Sequence, residues 1–113
     1  MTGSRESVLQ EIANILLDAR RTGKTLDDLP IGYHPADLTE ITYVQDLVAA
    51  AFGPVGGYKI GAPSLEATPA FAPMPAAWIA PSGSKLASAR YRGVEAEIAF
   101  LVGQDLPPRA TPY

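Results

Sequence analysis

The chain has 113 residues, 47% of them apolar and 19% charged, with a formal net charge of −3 at neutral pH. That length suits one domain with a modest core, and a mildly negative balance with scattered basic residues argues against a nucleic-acid surface. No cysteine and one histidine exclude disulfides, zinc–thiolate sites, thiol catalysis and a multi-histidine metal centre within one chain. The N-terminus lacks the layout of a signal peptide, and no apolar run is long enough to cross a membrane. The expectation is a cytoplasmic protein with no membrane and no nucleic-acid partner.

Taken in chain order, Ser4 to Arg21 reads as an amphipathic helix, with Val8, Ile12, Ile15, Leu16 and Ala19 on one face. Ser4 can cap its start, Glu6 and Arg20–Arg21 suit the two ends of its dipole, and Gly23 can stop it. Lys24 to His34 is a connection broken by Pro30 and Gly32. His34, just before Pro35, reads as a capping or loop position. Pro35 to Phe52 reads as a second helix, with Pro35 at its first position and a stripe of Leu38, Ile41, Val44, Val48 and Ala51. Gly53-Pro54 ends it.

Most of the prolines lie in the second half, which should be loops and short strands. Val55 to Gly61 reads as a strand whose glycines allow close packing. Within it Lys59 is flanked by Tyr58 and Ile60. A lysine there needs a partner, or its pKa falls and it can act as a base; a surface lysine on an edge strand is the simpler alternative. Ala62 to Pro75 is too rich in proline for a helix and too apolar for a flexible linker, so a loop packed over a pocket is expected. Ala76 to Ala80, centred on Trp78, reads as a strand, and Pro81-Ser-Gly83 as a turn. Lys85 to Tyr91 leads into the next stretch.

That stretch, Arg92 to Leu106, reads as a strand carrying two carboxylates. Alternation puts Glu95 and Glu97 on one face and Val94, Ala96, Ile98, Phe100 and Val102 on the other. Like charges beside apolar neighbours ask for something positive between them. A hard divalent cation, a pair of arginines or plain water would each serve. Gly103 to Leu106 reads as a turn, and Pro107 to Tyr113 show no pattern. The fold class is α+β: two helices over 1–53, then short strands of a mixed sheet over 54–113.

Several of these segments resemble the N-terminal part of the fumarylacetoacetate hydrolase family, in its 2-keto-4-pentenoate hydratase branch. The motifs are Thr42-Tyr-Val-Gln45, Gly57-Tyr-Lys-Ile-Gly61, Pro69-Ala-Phe-Ala-Pro-Met74 and Gly93-Val-Glu-Ala-Glu-Ile-Ala-Phe100, followed by Asp105-Leu-Pro107. The resemblance implies that 54–113 is the start of an incomplete β-rich catalytic domain. It implies a magnesium or manganese ion held by Glu95, Glu97 and a third acidic residue beyond Tyr113. It implies Lys59 as the active-site lysine, with Ser64 and the Phe71 loop near the substrate, a small 2-oxo or 2-hydroxydienoic acid. The implied reaction adds water to 2-hydroxypenta-2,4-dienoate to give 4-hydroxy-2-oxopentanoate, a lyase step of aromatic-compound catabolism. A homo-oligomer is left open.

Three departures bear on this reading. The third acidic ligand lies outside the chain, so the resemblance makes it the front portion of a longer enzyme, binding metal weakly and turning over nothing alone. Pro63 stands where the family often has a hydroxyl residue, and Ala72 where glycine is common. The metal pair would also serve a 2-oxo acid decarboxylase or a fumarylacetoacetate-type hydrolase, and a non-catalytic interaction module is the third alternative.

Overall fold

The computed structural model describes residues 3–87 and 93–111. Helix α1 runs Gly3–Thr22 and helix α2 Leu38–Ala50. Strands β1, Val55–Gly61, and β2, Ala70–Pro75, follow, and then a single 3₁₀ turn, Ala76–Trp78. The architecture is α+β. Among the described residues its sheet is one antiparallel ribbon of β1 and β2.

α1 forms where the apolar spacing puts it, and Gly23 ends it at φ 70°, a conformation that costs other residues a steric clash. The line that faces the core is Leu9, Ile12 and Ala13, all buried, while Leu16 is partly exposed. The apolar arc of this helix is wide enough for two lines, and the docked α2 selects the one through Leu9. Val44 closes the core from α2, with Val8, Leu29, Tyr33, Tyr43, Leu47 and Val48 packed around it.

α2 starts at Leu38, three residues after Pro35. Asp37 is in extended conformation and its carboxylate accepts the Glu40 backbone N–H at 2.9 Å, so it is the cap. Glu40 then turns inward instead of Leu38 or Ile41, which stay exposed. Its carboxylate accepts Arg5 Nε at 2.8 Å, a second Arg5 guanidinium nitrogen at 2.5 Å and the Ala36 N–H at 2.6 Å. These donors fix α1 against the start of α2 and hold the Glu40 pKa down to about 2, Arg5 contributing most.

Two segments depart from expectation around the ribbon. Ala70–Pro75, expected as loop, is strand β2. Proline is excluded from central strands because it lacks an N–H, but among the described residues β2 pairs on one side only, which accommodates Pro73 and Pro75. Ala76 to Ala80, expected as strand, is instead the 3₁₀ turn over Ala76–Trp78. The Ala76 N–H bonds Pro54 O at 2.8 Å and the Ile79 N–H bonds Ala76 O at 3.2 Å, folding the chain back over the start of β1. The ladder is irregular between Val55 and Gly57, and a Cβ on Gly56 would lie 2.7 Å from Ala76 Cα. Only glycine admits so close an approach. Trp78 then reaches the end of α2, with its ring 4.9 Å from Phe52 and the Arg20 guanidinium 4.3 Å above it.

The acidic stretch is the third departure. Its first residue, Arg92, and the lead-in at 88–91 lie outside the described residues. Residues 93–103 join no ladder and are exposed throughout. A strand is defined by its neighbour, and among the described residues this segment pairs with neither strand of the ribbon.

Candidate functional site

The ammonium of Lys59 is the meeting point of the site. It leaves the middle of β1 and donates to Glu95 Oε2 at 3.1 Å and, in a shorter bond, to Glu97 Oε1. The two carboxylates therefore share one side of their segment, as their spacing predicts, although no ladder enforces it. One cation answers both. Glu97 and then Glu95 raise the lysine pKa above its ordinary value. The side chain is half exposed, so its stem is not sealed in the way that would push the pKa down. In this arrangement Lys59 is an ammonium at neutral pH: a positive anchor and proton donor rather than a base.

The apolar side of the ribbon is separate. Register pairs Lys59 with Ala72 and Ile60 with Phe71. Side chains alternate along a strand, so Lys59 shares a face with Ala72, while Tyr58, Ile60 and Phe71 share the opposite one. There Tyr58 and Phe71 meet edge to face at 6.1 Å, beside a shallow groove of about 370 Å³ lined by Tyr58, Ile60, Pro69, Ala70 and Phe71. Phe71, expected over the lysine, thus stands behind it. Ser64 lies in the exposed connection between the strands, where its carbonyl accepts the Ala67 N–H at 3.4 Å. The structure joins Lys59, Glu95 and Glu97, and it does not bring Ser64 or Phe71 to them.

His34 takes the loop role expected of it. Its Nε2 lies 2.9 Å from Asp28 Oδ1, and its carbonyl accepts from Arg5 at 2.8 Å. The imidazole and the Leu29 N–H together hold the Asp28 carboxyl below its ordinary pKa. The Arg5–Glu40 pair was not foreseen from sequence, although Asp37-x-x-Glu40 carries the pattern of a capping box and places an acid in the first turn of α2. The clasp of Arg20 over Trp78 and Phe52 carried no local signal, because its three residues are far apart in the chain.

Both carboxylates offer hard oxygen donors, the kind magnesium and manganese take, and they converge on a single cation in the form of the Lys59 ammonium. By donor type the pair fits two ligands of such an ion, and among the described residues no third histidine, cysteine or acidic side chain joins them. The chain matches no protein-family profile, no curated protein sequence and no solved structure.

Proposed function

We propose that Lys59, Glu95 and Glu97 form the metal-and-substrate half-site of a lyase acting on small 2-oxo acids, the hydratase reaction on 2-hydroxypenta-2,4-dienoate being the reading favoured by the motifs. The observation that supports it is the convergence of two carboxylates, from one segment, on a lysine 36 and 38 residues away. Glu95 and Glu97 would hold magnesium or manganese through their carboxylate oxygens. When bound, the ion supplies polarisation of the 2-oxo group and charge stabilisation of an enolate-like state. Lys59, kept protonated, would pair with the substrate carboxylate and could deliver a proton to the developing carbanion. Two side-chain ligands leave most of an octahedral shell for substrate oxygens and water, so metal and substrate should bind together.

The test is calorimetric titration of magnesium and manganese with oxalate, a planar mimic of the enolate, on the native chain and on Glu95→Gln/Glu97→Gln. Metal-dependent oxalate binding that the double substitution abolishes is the expected result. Binding that survives it, or a folded native chain that binds neither metal nor oxalate, would remove the proposal. A second arm uses Lys59→Met. Without the ammonium the carboxylates should take metal alone more tightly, but oxalate less tightly once metal is present.

A further inference from the structure

In the half-site proposed above, Lys59 is asked to meet the carboxylate of the substrate, yet its ammonium is already committed. It donates to Glu95 Oε2 at 3.1 Å and, more closely, to Glu97 Oε1. The carboxylates that would take a metal are therefore the ones that hold the lysine. One positive charge against two negative ones leaves the cluster short of a charge, which a divalent ion supplies and an ammonium does not. Two positive centres on one pair of carboxylates repel each other, so ion and ammonium should exchange rather than add. The contact can be given up, because Lys59, Glu95 and Glu97 are 50%, 77% and 54% exposed and solvent weakens such pairs.

The ribbon leaves a released lysine room to move. Alternation puts Gly57 and Gly61 on the face of β1 that carries Lys59, and the register sets Ala72 directly opposite it. Beside and across from the lysine stand two residues without a side chain and one with a single methyl. A Cβ on Gly61 would meet nothing within 4 Å, so the space towards that end of the strand is open. The aromatic bulk of Tyr58 and Phe71 is on the other face. The flexible stem of a lysine can use that opening to carry its ammonium off the carboxylates.

We infer, resting on the half-site reading, that the Lys59 ammonium is the internal counter-ion of Glu95 and Glu97 in the metal-free chain, that magnesium or manganese displaces it, and that the freed ammonium then takes the substrate carboxylate. The exchange imposes an order. Before metal binds, the lysine is occupied and the cluster keeps a net negative charge that repels a 2-oxo acid anion. After metal binds, the repulsion is gone and the lysine is available.

Resonance spectra of the lysine side-chain amines in the full chain test it, recorded as magnesium chloride is added without oxalate, with calorimetry in parallel. Lys59→Arg identifies the Lys59 signal, and Lys24 and Lys85 serve as internal references. Magnesium should move the Lys59 signal to its position in Glu95→Gln/Glu97→Gln and quicken the exchange of its protons with water, leaving the references in place. Oxalate should then shift it again, but only in the metal-loaded chain. Lys59→Met should bind magnesium alone about two- to fivefold more tightly, the scale of an exposed ion pair removed as competitor. Magnesium binding that leaves the Lys59 signal unmoved, or that Lys59→Met does not tighten, overturns the exchange while the half-site stands. Oxalate binding equally well without metal overturns the order. A folded chain that calorimetry shows to bind no metal removes the half-site, and the exchange with it.

Discussion

Leu9 in α1 and Phe100 in the acidic segment are both large apolar side chains in periodic sequence, yet Leu9 is sealed and Phe100 is 91% exposed. The difference lies in their neighbours. α1 completes its own backbone hydrogen bonds and needs only one docked face, which α2 supplies with Val44, Leu47 and Val48. An extended segment cannot complete its backbone bonds alone, and residues 93–103 pair with no strand among the described residues. Burying a leucine contributes about 1.5–3 kcal/mol, so stability should reside in the helical front and in the ribbon anchored to it.

The largest expected effect tests that division directly. Leu9→Ala should cost about 2–5 kcal/mol, because it opens a cavity in a core with few other members, whereas Phe100→Ala in dilute solution should stay within about 0.5 kcal/mol. Urea unfolding followed by circular dichroism measures both. Equal losses would mean that the acidic segment is packed in solution. Gly56→Ala comes next. The new methyl would meet Ala76 Cα at 2.7 Å and Ile79 Cδ1 at 3.0 Å, and displacing the turn should cost about 1–3 kcal/mol. Gly103→Ala, in open space, is the matched control and should be neutral. Asp37→Ala should cost about 1 kcal/mol through loss of the α2 cap, with Asp37→Ser recovering most of it.

Acid sharpens the same contrast. The Glu40 carboxylate titrates near 2 in the folded chain against an ordinary value of 4.5. Between those values the unfolded chain binds the proton more readily, so stability rises with pH there. The contribution of the Arg5–Glu40 pair is complete above about pH 4.5 and lost as the pH falls towards 2. Thermal melts of the native chain and Glu40→Gln should differ clearly at neutral pH and converge across that window. Parallel curves would show that the carboxylate carries no charge-dependent part of the fold.

Sequence reasoning reads local elements well here and shared ones poorly. β1 is legible to the residue because Val55–Gly61 is a strand run bounded by breakers. β2 is hidden by the prolines that its one-sided pairing tolerates, and pairing is a property of two segments. The sequence points to Pro35 as the start of α2, since its fixed φ suits a first helical position, but the Asp37 carboxylate satisfies the helix N–H groups better. Glu40 shows the same limit: its burial depends on Arg5, 35 positions away. For the candidate site, side-chain parity placed Glu95 and Glu97 together. The motifs imply a metal for the two glutamates and a substrate for Lys59, and the direct contact among the three is a feature that the sequence did not announce. The strand expected beneath them is not formed, because parity constrains where side chains point and says nothing about a backbone partner.

The smallest expected effect on stability belongs to the candidate site itself. Lys59 and its two carboxylates are at least half exposed, and exposed ion pairs are weakened by solvent and salt. Lys59→Met should therefore leave the unfolding midpoint within error of the native chain. What it removes is a tether, since the acidic segment meets the ribbon through that ammonium. The lysine pKa lies above its ordinary value, so the tether is complete below the unfolded lysine pKa and is lost as pH rises through the folded one. Nitrogen-detected resonance titration of the Lys59 amine reads this directly, and its midpoint should fall towards that of a free lysine in Glu95→Gln/Glu97→Gln. An unchanged midpoint would mean that the ammonium does not hold the segment in solution.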